Sequence, residues 1–255
     1  MKTEYFVRKD SIVRKIWGKS DTVLFIFAGA AAEFSLNKAV DWLYFTGRLP
    51  ADPINRLFST VAYARAIIFS EKSKALQAIT AVSAIHAQVE EKRGASIPDW
   101  AYRDVLYMLV DYSIRSFEAL ERKLSTAEKK EVFDVFIRLG AGMGIQGLPT
   151  SLATWYVQRE QHLKENLIYS HHTADLFKQY KKHLGRIRYY ILLGVQKQLV
   201  PRQVSTLLHF HSFIIIGPLL YLYKITRFIK LDWLMKAMLL PSQYKQQISA
   251  IEEKV

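Results

Sequence analysis

Apolar residues recur at intervals of three and four positions along most of the chain, which is the spacing of one face of an α-helix. Asp52 followed by Pro53 predicts a helix start, because Asp is a favoured N-cap and Pro fits the first helical turn. The residues Ser-Thr-Ala-Glu at 125–128 predict a capping box at the start of another helix. Segments 98–122 and 150–198 also have helical patterns, and the second is broken near Ser170. No segment has comparable support as a strand.

No Gly/Ser-rich linker, low-complexity tract or fixed-period repeat divides the chain. The stretch 142–147 matches the pattern G-x-G-x-x-G, but it follows a predicted helix and runs into Leu148-Pro149. We therefore interpret it as a helix terminator within a loop at 140–149 and not as a nucleotide-binding turn. No Glu lies three residues before any His, which excludes the di-iron motif of helix bundles. The prediction is a single all-α domain spanning 1–255, with a helical C-terminal extension.

His86 lies on the apolar stripe of one predicted helix, and Arg56 and Thr60 lie four residues apart on one face of the helix before it. The stripe consists of Ala75, Ile79, Val82, His86 and Val89. Because the chain has no cysteine, an inward-facing imidazole is its best candidate ligand for a metal or a haem iron. A haem also needs cations for its propionates, which Arg56 could supply. In the alternative interpretation, His86 is a core histidine bonded to a backbone carbonyl and Arg56 is a solvated cation.

Half of the 255 residues are hydrophobic, which is enough for a sizeable core. The absence of Cys excludes disulfides, thiolate zinc sites, iron–sulfur clusters and covalently attached haem, and a reducing, cytoplasmic setting is the simplest one. The net charge of +13 predicts an anionic partner, such as a propionate-bearing cofactor or a membrane face. No nucleic-acid-binding module accompanies the charge, so we expect no nucleic-acid partner. A basic cluster, interpreted as a solvated helix face, consists of Lys178, Lys181, Lys182, Arg186 and Arg188.

Two apolar runs raise the question of a membrane. The run at 23–32 follows a basic segment, but apolar residues continue after it at helical spacing, so we predict a retained core helix and no signal peptide. The run at 213–223 is interrupted by Gly217-Pro218 and is shorter than the roughly 20 residues that span a bilayer. Cations at 224, 227 and 230 follow it in the order of an interfacial anchor, which leaves peripheral membrane contact open.

One series of polar residues runs in order through three stretches of the chain. The first stretch contains an Arg and a Thr four residues apart, the second a His, and the third an Asp with an Arg four residues later. The stretches are Asn-Arg-Leu-Phe-Ser-Thr at 55–60, Ala-Ile-His-Ala-Gln-Val at 84–89 and Leu-Val-Asp-Tyr-Ser-Ile-Arg-Ser-Phe-Glu at 109–118. With them, the chain from Trp17 to about Gly185 resembles the catalytic domain shared by the latex-clearing rubber oxygenases and the fungal mpaB-type oxygenases. The residues Met-Leu-Leu-Pro at 238–241 are similar to the C-terminal stretch of the same family.

The resemblance implies a globin-like oxygenase core at 17–185, followed by the extension at 186–255, that holds a noncovalent haem b. It implies that His86 is the proximal iron ligand, that Arg56 steadies a propionate or bound oxygen, and that Thr60 lines the pocket. Asp111 and Arg115 are expected to pair as a structural link between residues i and i+4. The implied function is an oxygenase-like oxidoreductase that uses O2 on a hydrophobic substrate, such as an isoprenoid or a lipid.

Two departures from the family pattern concern the iron and the substrate. Some rubber oxygenases have a Lys before the matching Thr as a second iron ligand, where this chain has Ser59. Many members have a His shortly before the Asp, where this chain has Leu106-Tyr107. The alternative function is a haemless helical module that binds lipid or an anionic membrane through its basic surface and C-terminal apolar segment. In the oxygenase hypothesis, aromatic side chains line the substrate pocket, namely Tyr63, Phe69, Tyr107 and Phe117.

Overall fold

The structure is a computed structural model that describes residues 4–210 together with Gly217 and Tyr223. Its helices confirm the all-α class, and no β-strand occurs among these residues. In chain order the helices are α1 (Ile12–Trp17), α2 (Ser20–Phe34), α3 (Val40–Phe45), α4 (Arg48–Ala51), α5 (Pro53–Phe69), α6 (Lys72–Arg93), α7 (Asp99–Leu120), α8 (Thr126–Gly142), α9 (Leu152–Glu165), α10 (His171–Leu199) and α11 (Arg202–Leu207). The globin-like arrangement stays a prediction.

The predicted helix starts are confirmed. The Asp52 carboxylate accepts a hydrogen bond from the backbone N–H of Asn55 at 3.0 Å, and α5 begins at Pro53. Ser125 and Glu128 form a complete capping box at the start of α8. Each of these interactions satisfies backbone N–H groups that have no partner inside the first helical turn, which is why a short sequence pattern suffices to position them.

The predicted break and loop in the second half of the chain are also confirmed. Ser170 caps the start of α10, so α9 and α10 are separate helices. The glycine-rich stretch lies at the end of α8 and in the loop after it, where Gly144 and Gly147 have φ angles of 77° and 68°. These left-handed conformations favour glycine, and they turn the chain from α8 towards α9. The stretch therefore terminates a helix, as expected.

A break within α10 was not predicted by the hydrophobic pattern. Gly185 has φ 74° and ψ 171°, which is non-helical and divides α10 into segments 171–184 and 186–199. The predicted boundary between the core and the extension falls at this kink, and the division into 17–185 and 186–255 stays a prediction. Apart from Gly217 and Tyr223, the apolar run at 213–223 and the stretch at 238–241 lie outside the described residues.

The core is built around α2 and α7. The apolar run at 23–32 forms most of α2, and Val23, Ile26 and Ala32 have no exposed surface, so the prediction of a core helix is confirmed. The two helices come close together at Gly29, because a Cβ atom there would lie 2.3 Å from Cδ1 of Tyr112. No helix in the described part of the chain is long and apolar enough to cross a membrane.

A buried network of charged groups joins α2, α7 and α9. The guanidinium of Arg159 on α9 donates to Oε1 and Oε2 of Glu33 on α2, at 2.5 and 2.6 Å. It also donates to Oδ2 of Asp111 on α7 at 2.9 Å. The hydroxyl of Tyr112 donates to Glu33 at 2.8 Å. Because Glu33 is fully buried, removing one partner of such a pair costs about 3–5 kcal/mol of stability, through the charge that is left unpaired.

His162 extends the network along α9. Its Nδ1 lies 2.5 Å from Oδ1 of Asp104, and its Nε2 lies 3.3 Å from Oε1 of Glu33. The side-chain amides of Asn37 and Asn166 donate to the other oxygen of Asp104, at 3.2 and 3.0 Å. Two carboxylates on either side of an imidazole favour its charged form, in which both ring nitrogens act as donors.

Burial alone would lower the pKa of His162, but its hydrogen bonds to Asp104 and Glu33 and their charges raise that pKa above the ordinary value. Burial alone would likewise raise the pKa of Glu33, and the charges of Arg159 and His162 instead lower it to about 2. The contribution of Glu33 to stability is therefore present above about pH 4.5 and is lost as pH falls towards 2. The contribution of His162 is present below about pH 6.5 and is lost as pH rises through its raised pKa.

We expect the free energy of unfolding to decrease as pH rises above about 6.5, because the unfolded state then loses the proton of His162 while the folded state still holds it. Urea unfolding followed by circular dichroism between mildly acidic and mildly alkaline pH measures this decrease. The variant His162→Gln should be less stable than the parent at acidic pH and should show a flatter pH dependence. An equally steep decrease in both proteins would contradict the assignment to His162.

Candidate functional site

Arg56 and Thr60 lie on one face of α5 and contact each other. Nη1 of Arg56 donates to the hydroxyl of Thr60 at 2.7 Å and to that of Ser59 at 3.1 Å. The two hydroxyls in turn donate to the backbone carbonyl of Arg56, at 2.7 Å from Ser59 and 3.2 Å from Thr60. The predicted pairing on one helix face is therefore present. The hydroxyl of Ser59, which is exposed, is used in these local bonds.

His86 lies on α6, which packs against α5. Its side chain is half-buried, and its Nδ1 atom is sealed from solvent and has no hydrogen-bond partner. No backbone carbonyl accepts from this atom, as the interpretation of His86 as an ordinary core histidine would require. A buried polar atom without a partner costs about 1–3 kcal/mol, so its presence calls for an explanation.

The apolar stripe of α6 is covered unevenly. Ala75 and Ile79, at its N-terminal end, are buried in the core, whereas Val82, His86 and Val89 are only half-buried. The described residues therefore bury the N-terminal half of the stripe and cover only part of the C-terminal half, which contains the imidazole. This half offers a partly apolar surface on which a flat apolar group could pack.

The electrostatic surroundings keep the imidazole of His86 neutral. Burial lowers its pKa, the positive charge of Arg56 lowers it further, and the negative charge of Glu90 opposes both effects in part. The Arg56 guanidinium on α5 is thus close enough to influence the ring on α6. A neutral imidazole has a free lone pair on one nitrogen, which is the form that binds a metal.

Two residues that were not predicted from the sequence hold the ring in place. The ring of Tyr102, near the start of α7, packs edge-on against the His86 imidazole, with the ring centres 5.2 Å apart. The Tyr102 hydroxyl donates to Glu90 at 3.2 Å, and the same carboxylate oxygen accepts from the backbone N–H of Ile97 at 2.7 Å. Glu90 lies four residues after His86 on α6, a spacing that could have identified it in the sequence.

The predicted pair of Asp111 and Arg115 is confirmed, with Nε of Arg115 2.7 Å from Oδ1 of Asp111. Asp111 also accepts from Arg159, and neither this bond nor the network around Glu33 was predicted from the sequence. One signal was available, since α2 has only apolar, small and hydroxyl residues between Asp21 and Glu33. A carboxylate at the end of such a buried helix needs a cationic partner.

The four aromatic residues expected to line a substrate pocket have different surroundings. Tyr107 and Phe117 are buried in the core, and the Tyr107 hydroxyl donates to Gln158. Tyr63 is 41% exposed. The guanidinium groups of two arginines, Arg14 and Arg65, lie over the ring of Phe69. These contacts give no support to a shared pocket lined by all four side chains.

Within residues 4–210, no cluster of three or more His, Cys, Asp and Glu side chains could hold a bare metal ion. A single imidazole therefore suits a metal that brings most of its own ligands, as haem iron does through the porphyrin ring. The neutral state of His86, its unpaired buried nitrogen and the nearby cation Arg56 all fit such a group.

Comparison with known proteins identifies the family of the chain. Residues 15–246 match the family described as ER-bound oxygenase mpaB/B'/rubber oxygenase, catalytic domain. The chain belongs to this family, which confirms the resemblance and indicates an oxygenase-like function. The match also runs past Gly185, through the predicted extension. No curated protein and no solved structure matches the chain significantly.

We expect the variant Arg56→Gln to raise the pKa of His86 towards its ordinary value, because it removes the positive charge that disfavours the imidazolium ion. A titration of the imidazole signals by NMR, on protein without added haem, measures the change. The control is Arg122→Gln, which removes a cation that pairs with Glu128 on the surface. Equal pKa values of His86 in the parent and in both variants would show that Arg56 does not act on the ring.

Proposed function

We propose that this protein is a haem b-dependent, oxygenase-like oxidoreductase that acts with O2 on a hydrophobic substrate. The observation that carries the proposal is the buried, unpaired Nδ1 of a neutral His86 next to Arg56, in a chain of the mpaB and rubber oxygenase family. The proposal uses the neutral state of this imidazole, because coordination of iron needs a nitrogen lone pair that no proton or hydrogen bond occupies.

In this proposal, His86 is the proximal ligand of a noncovalently bound haem b, whose iron supplies the chemistry that activates O2. Arg56 neutralises a propionate or stabilises negative charge near the iron, and its bonds to Ser59 and Thr60 restrict where its guanidinium lies. Thr60 contributes a hydroxyl on the same face of α5. Tyr102 limits rotation of the His86 ring through its edge-on contact.

The substrate class is proposed from the surface around α5 and α6. Large apolar side chains on these helices are partly exposed, with Leu76 at 45%, Tyr63 at 41% and Ile85 at 37%. Ile85 is adjacent to His86 in sequence, so apolar surface continues up to the residue before the site. An apolar substrate would gain from contact with such side chains, by about 25 cal/mol for each Å² removed from water.

We expect the purified protein to bind haem and to show a strong Soret absorption band. The variant His86→Ala should lose this band and bind haem more weakly, because the iron loses its only protein ligand in the proposal. Haem titration followed by absorption and by quenching of tryptophan fluorescence measures both effects. Circular dichroism should show that the variant keeps its helical content.

Two matched controls, His171→Ala and Arg122→Ala, accompany the haem experiment. His171→Ala removes an exposed histidine on α10, and it should leave the Soret band unchanged. Arg56→Ala should weaken haem binding more than Arg122→Ala does, since only Arg56 lies near His86. A Soret band that persists in His86→Ala would exclude His86 as the ligand. A parent protein without haem affinity would favour the haemless lipid-binding alternative.

A further expectation concerns access to the iron. Ser59 is too short to reach a bound haem iron as the Lys of some family members does, and its hydroxyl is bonded to Arg56, so the residue at this position would leave the iron open to other ligands. The reduced haem protein should therefore bind carbon monoxide, seen as a shift of the Soret band. It should also consume O2, measured with an oxygen electrode, when a long unsaturated lipid or isoprenoid is present. A haem protein that does neither would be an electron carrier or a haem store.

A further inference from the structure

We propose that a face formed by the loop before α10, the second segment of α10 and the region of α11 docks on the anionic surface of a lipid bilayer. This docking face consists of Ile168, Tyr169, Arg186, Ile187, Tyr190, Lys197, Arg202 and His209. It is separate from the residues proposed to hold haem, so the inference does not rest on the proposed function.

The charge of this part of the chain has one sign. Between Asp175 and Asp232 the sequence contains no acidic residue and ten lysines and arginines. Those that fall within the described residues are Lys178, Lys181, Lys182, Arg186, Arg188, Lys197 and Arg202. An uninterrupted set of cations attracts a surface of negative headgroups, and each cation near such a surface contributes about 1 kcal/mol to binding.

Large apolar side chains are exposed among these cations. Ile187 directly follows Arg186 and is 78% exposed, more than any other large apolar side chain in the described residues. Tyr190, one helical turn further on, is 51% exposed, and Ile168 and Tyr169 in the loop before α10 are 51% and 49% exposed. Aliphatic tips, tyrosine rings and flanking cations are the three kinds of group found where a protein meets the interface of a bilayer.

Ring contacts connect the parts of the docking face. The ring of Tyr169, in the loop before α10, lies 6.3 Å from the ring of His209, which follows α11. Burial raises the pKa of Tyr189, and Tyr190 and Tyr169 raise it further, so Tyr169 also lies within electrostatic range of α10. The loop before α10, the second segment of α10 and the end of α11 therefore adjoin each other.

Next to Tyr169 the docking face contains a polar cleft. It has a volume of about 490 Å³ and is lined by Lys197, Val200, Arg202, Ser205, Thr206, His209 and Phe210. Cationic and hydroxyl side chains around an open cleft match the phosphate of a lipid headgroup, which accepts hydrogen bonds and carries negative charge. The cleft provides headgroup contacts beside the apolar tips that would enter the lipid.

The combination of exposed apolar side chains and cations in the docking face favours a bilayer over other anionic partners. A nucleic acid would be bound by cations and by aromatic rings that stack on its bases, and it gives no role to exposed isoleucines such as Ile168 and Ile187. An acidic protein would need a defined apolar pocket at the centre of the contact. A bilayer uses scattered apolar tips and cations together, without a fixed partner geometry.

The test is co-sedimentation of the full-length protein with two kinds of vesicle, one of phosphatidylcholine alone and one with about a third of phosphatidylserine. We expect binding to the second kind only, and loss of binding when salt is raised from about 0.1 M to 1 M, because the Debye length falls from about 10 to 3 Å. Arg186→Gln with Arg202→Gln should weaken binding about 25-fold, at about fivefold for each cation. Ile187→Ser should weaken it about tenfold, by removing one aliphatic side chain from the lipid.

Matched controls distinguish binding through the docking face from binding through net charge or through nonspecific contacts of exposed apolar side chains. Lys74→Gln with Lys92→Gln removes two exposed cations from α6, and Val105→Ser removes an apolar side chain that is 40% exposed on α7. Both controls should bind the anionic vesicles within twofold of the parent. His86→Ala should also bind them normally, so a failure of the haem proposal would not affect this result.

Several outcomes would overturn the proposal. Absence of binding to anionic vesicles would exclude a bilayer as the partner, and binding of inorganic phosphate in its place, measured by calorimetry, would show a site for soluble anions. An equal loss in the double lysine control would show that net charge alone is responsible. Unchanged binding by Ile187→Ser and by the double arginine variant would place the membrane contact elsewhere in the chain. Circular dichroism of each variant excludes misfolding as the cause of a loss.

Discussion

The ion pair between Arg159 and Glu33 is the constraint on which the rest of the fold depends. Both side chains are almost fully buried, so neither charge has water to compensate it if the other is displaced. Arg159 also binds Asp111, and a single side chain on α9 therefore fixes the position of α9 against α2 and α7 at once. Apolar packing between helices tolerates small shifts, but hydrogen bonds to a buried guanidinium require one register.

The sequence predicted those features that depend on neighbouring residues. The N-cap at Asp52, the capping box at Ser125 and the break at Ser170 each involve bonds that span three residues, so a short pattern contains both partners. The pair of Glu33 and Arg159 joins residues 126 positions apart, and no local pattern encodes such a pairing. The kink at Gly185 was missed for a related reason, since an isolated glycine inside a helical pattern is usually tolerated.

The same distinction between local features and long-range contacts applies to the candidate site. Arg56 and Thr60 could be placed on one face because they share a helix, and His86 could be singled out as a polar residue on an apolar stripe. Tyr102 reaches His86 from another helix, so its role followed only from the packing of α7 against α6. The stripe was predicted as an apolar helix face with an inward-facing imidazole at His86, but only Ala75 and Ile79 of it are buried. Periodicity gives the direction of a helix face and not how far the neighbouring helices cover it.

The buried network and the candidate site are connected through the first turns of α7. Asp104, which is held by His162, Asn37 and Asn166, lies two residues after Tyr102 on that helix. The bonds to Asp104 therefore fix the part of α7 from which the Tyr102 ring contacts His86. The part of the α6 stripe around the imidazole is only partly covered, and His86 itself is half-buried, so the ring is held by Tyr102 and is still partly accessible. A ligand residue needs both properties, because its lone pair must keep one direction and a cofactor must still be able to approach.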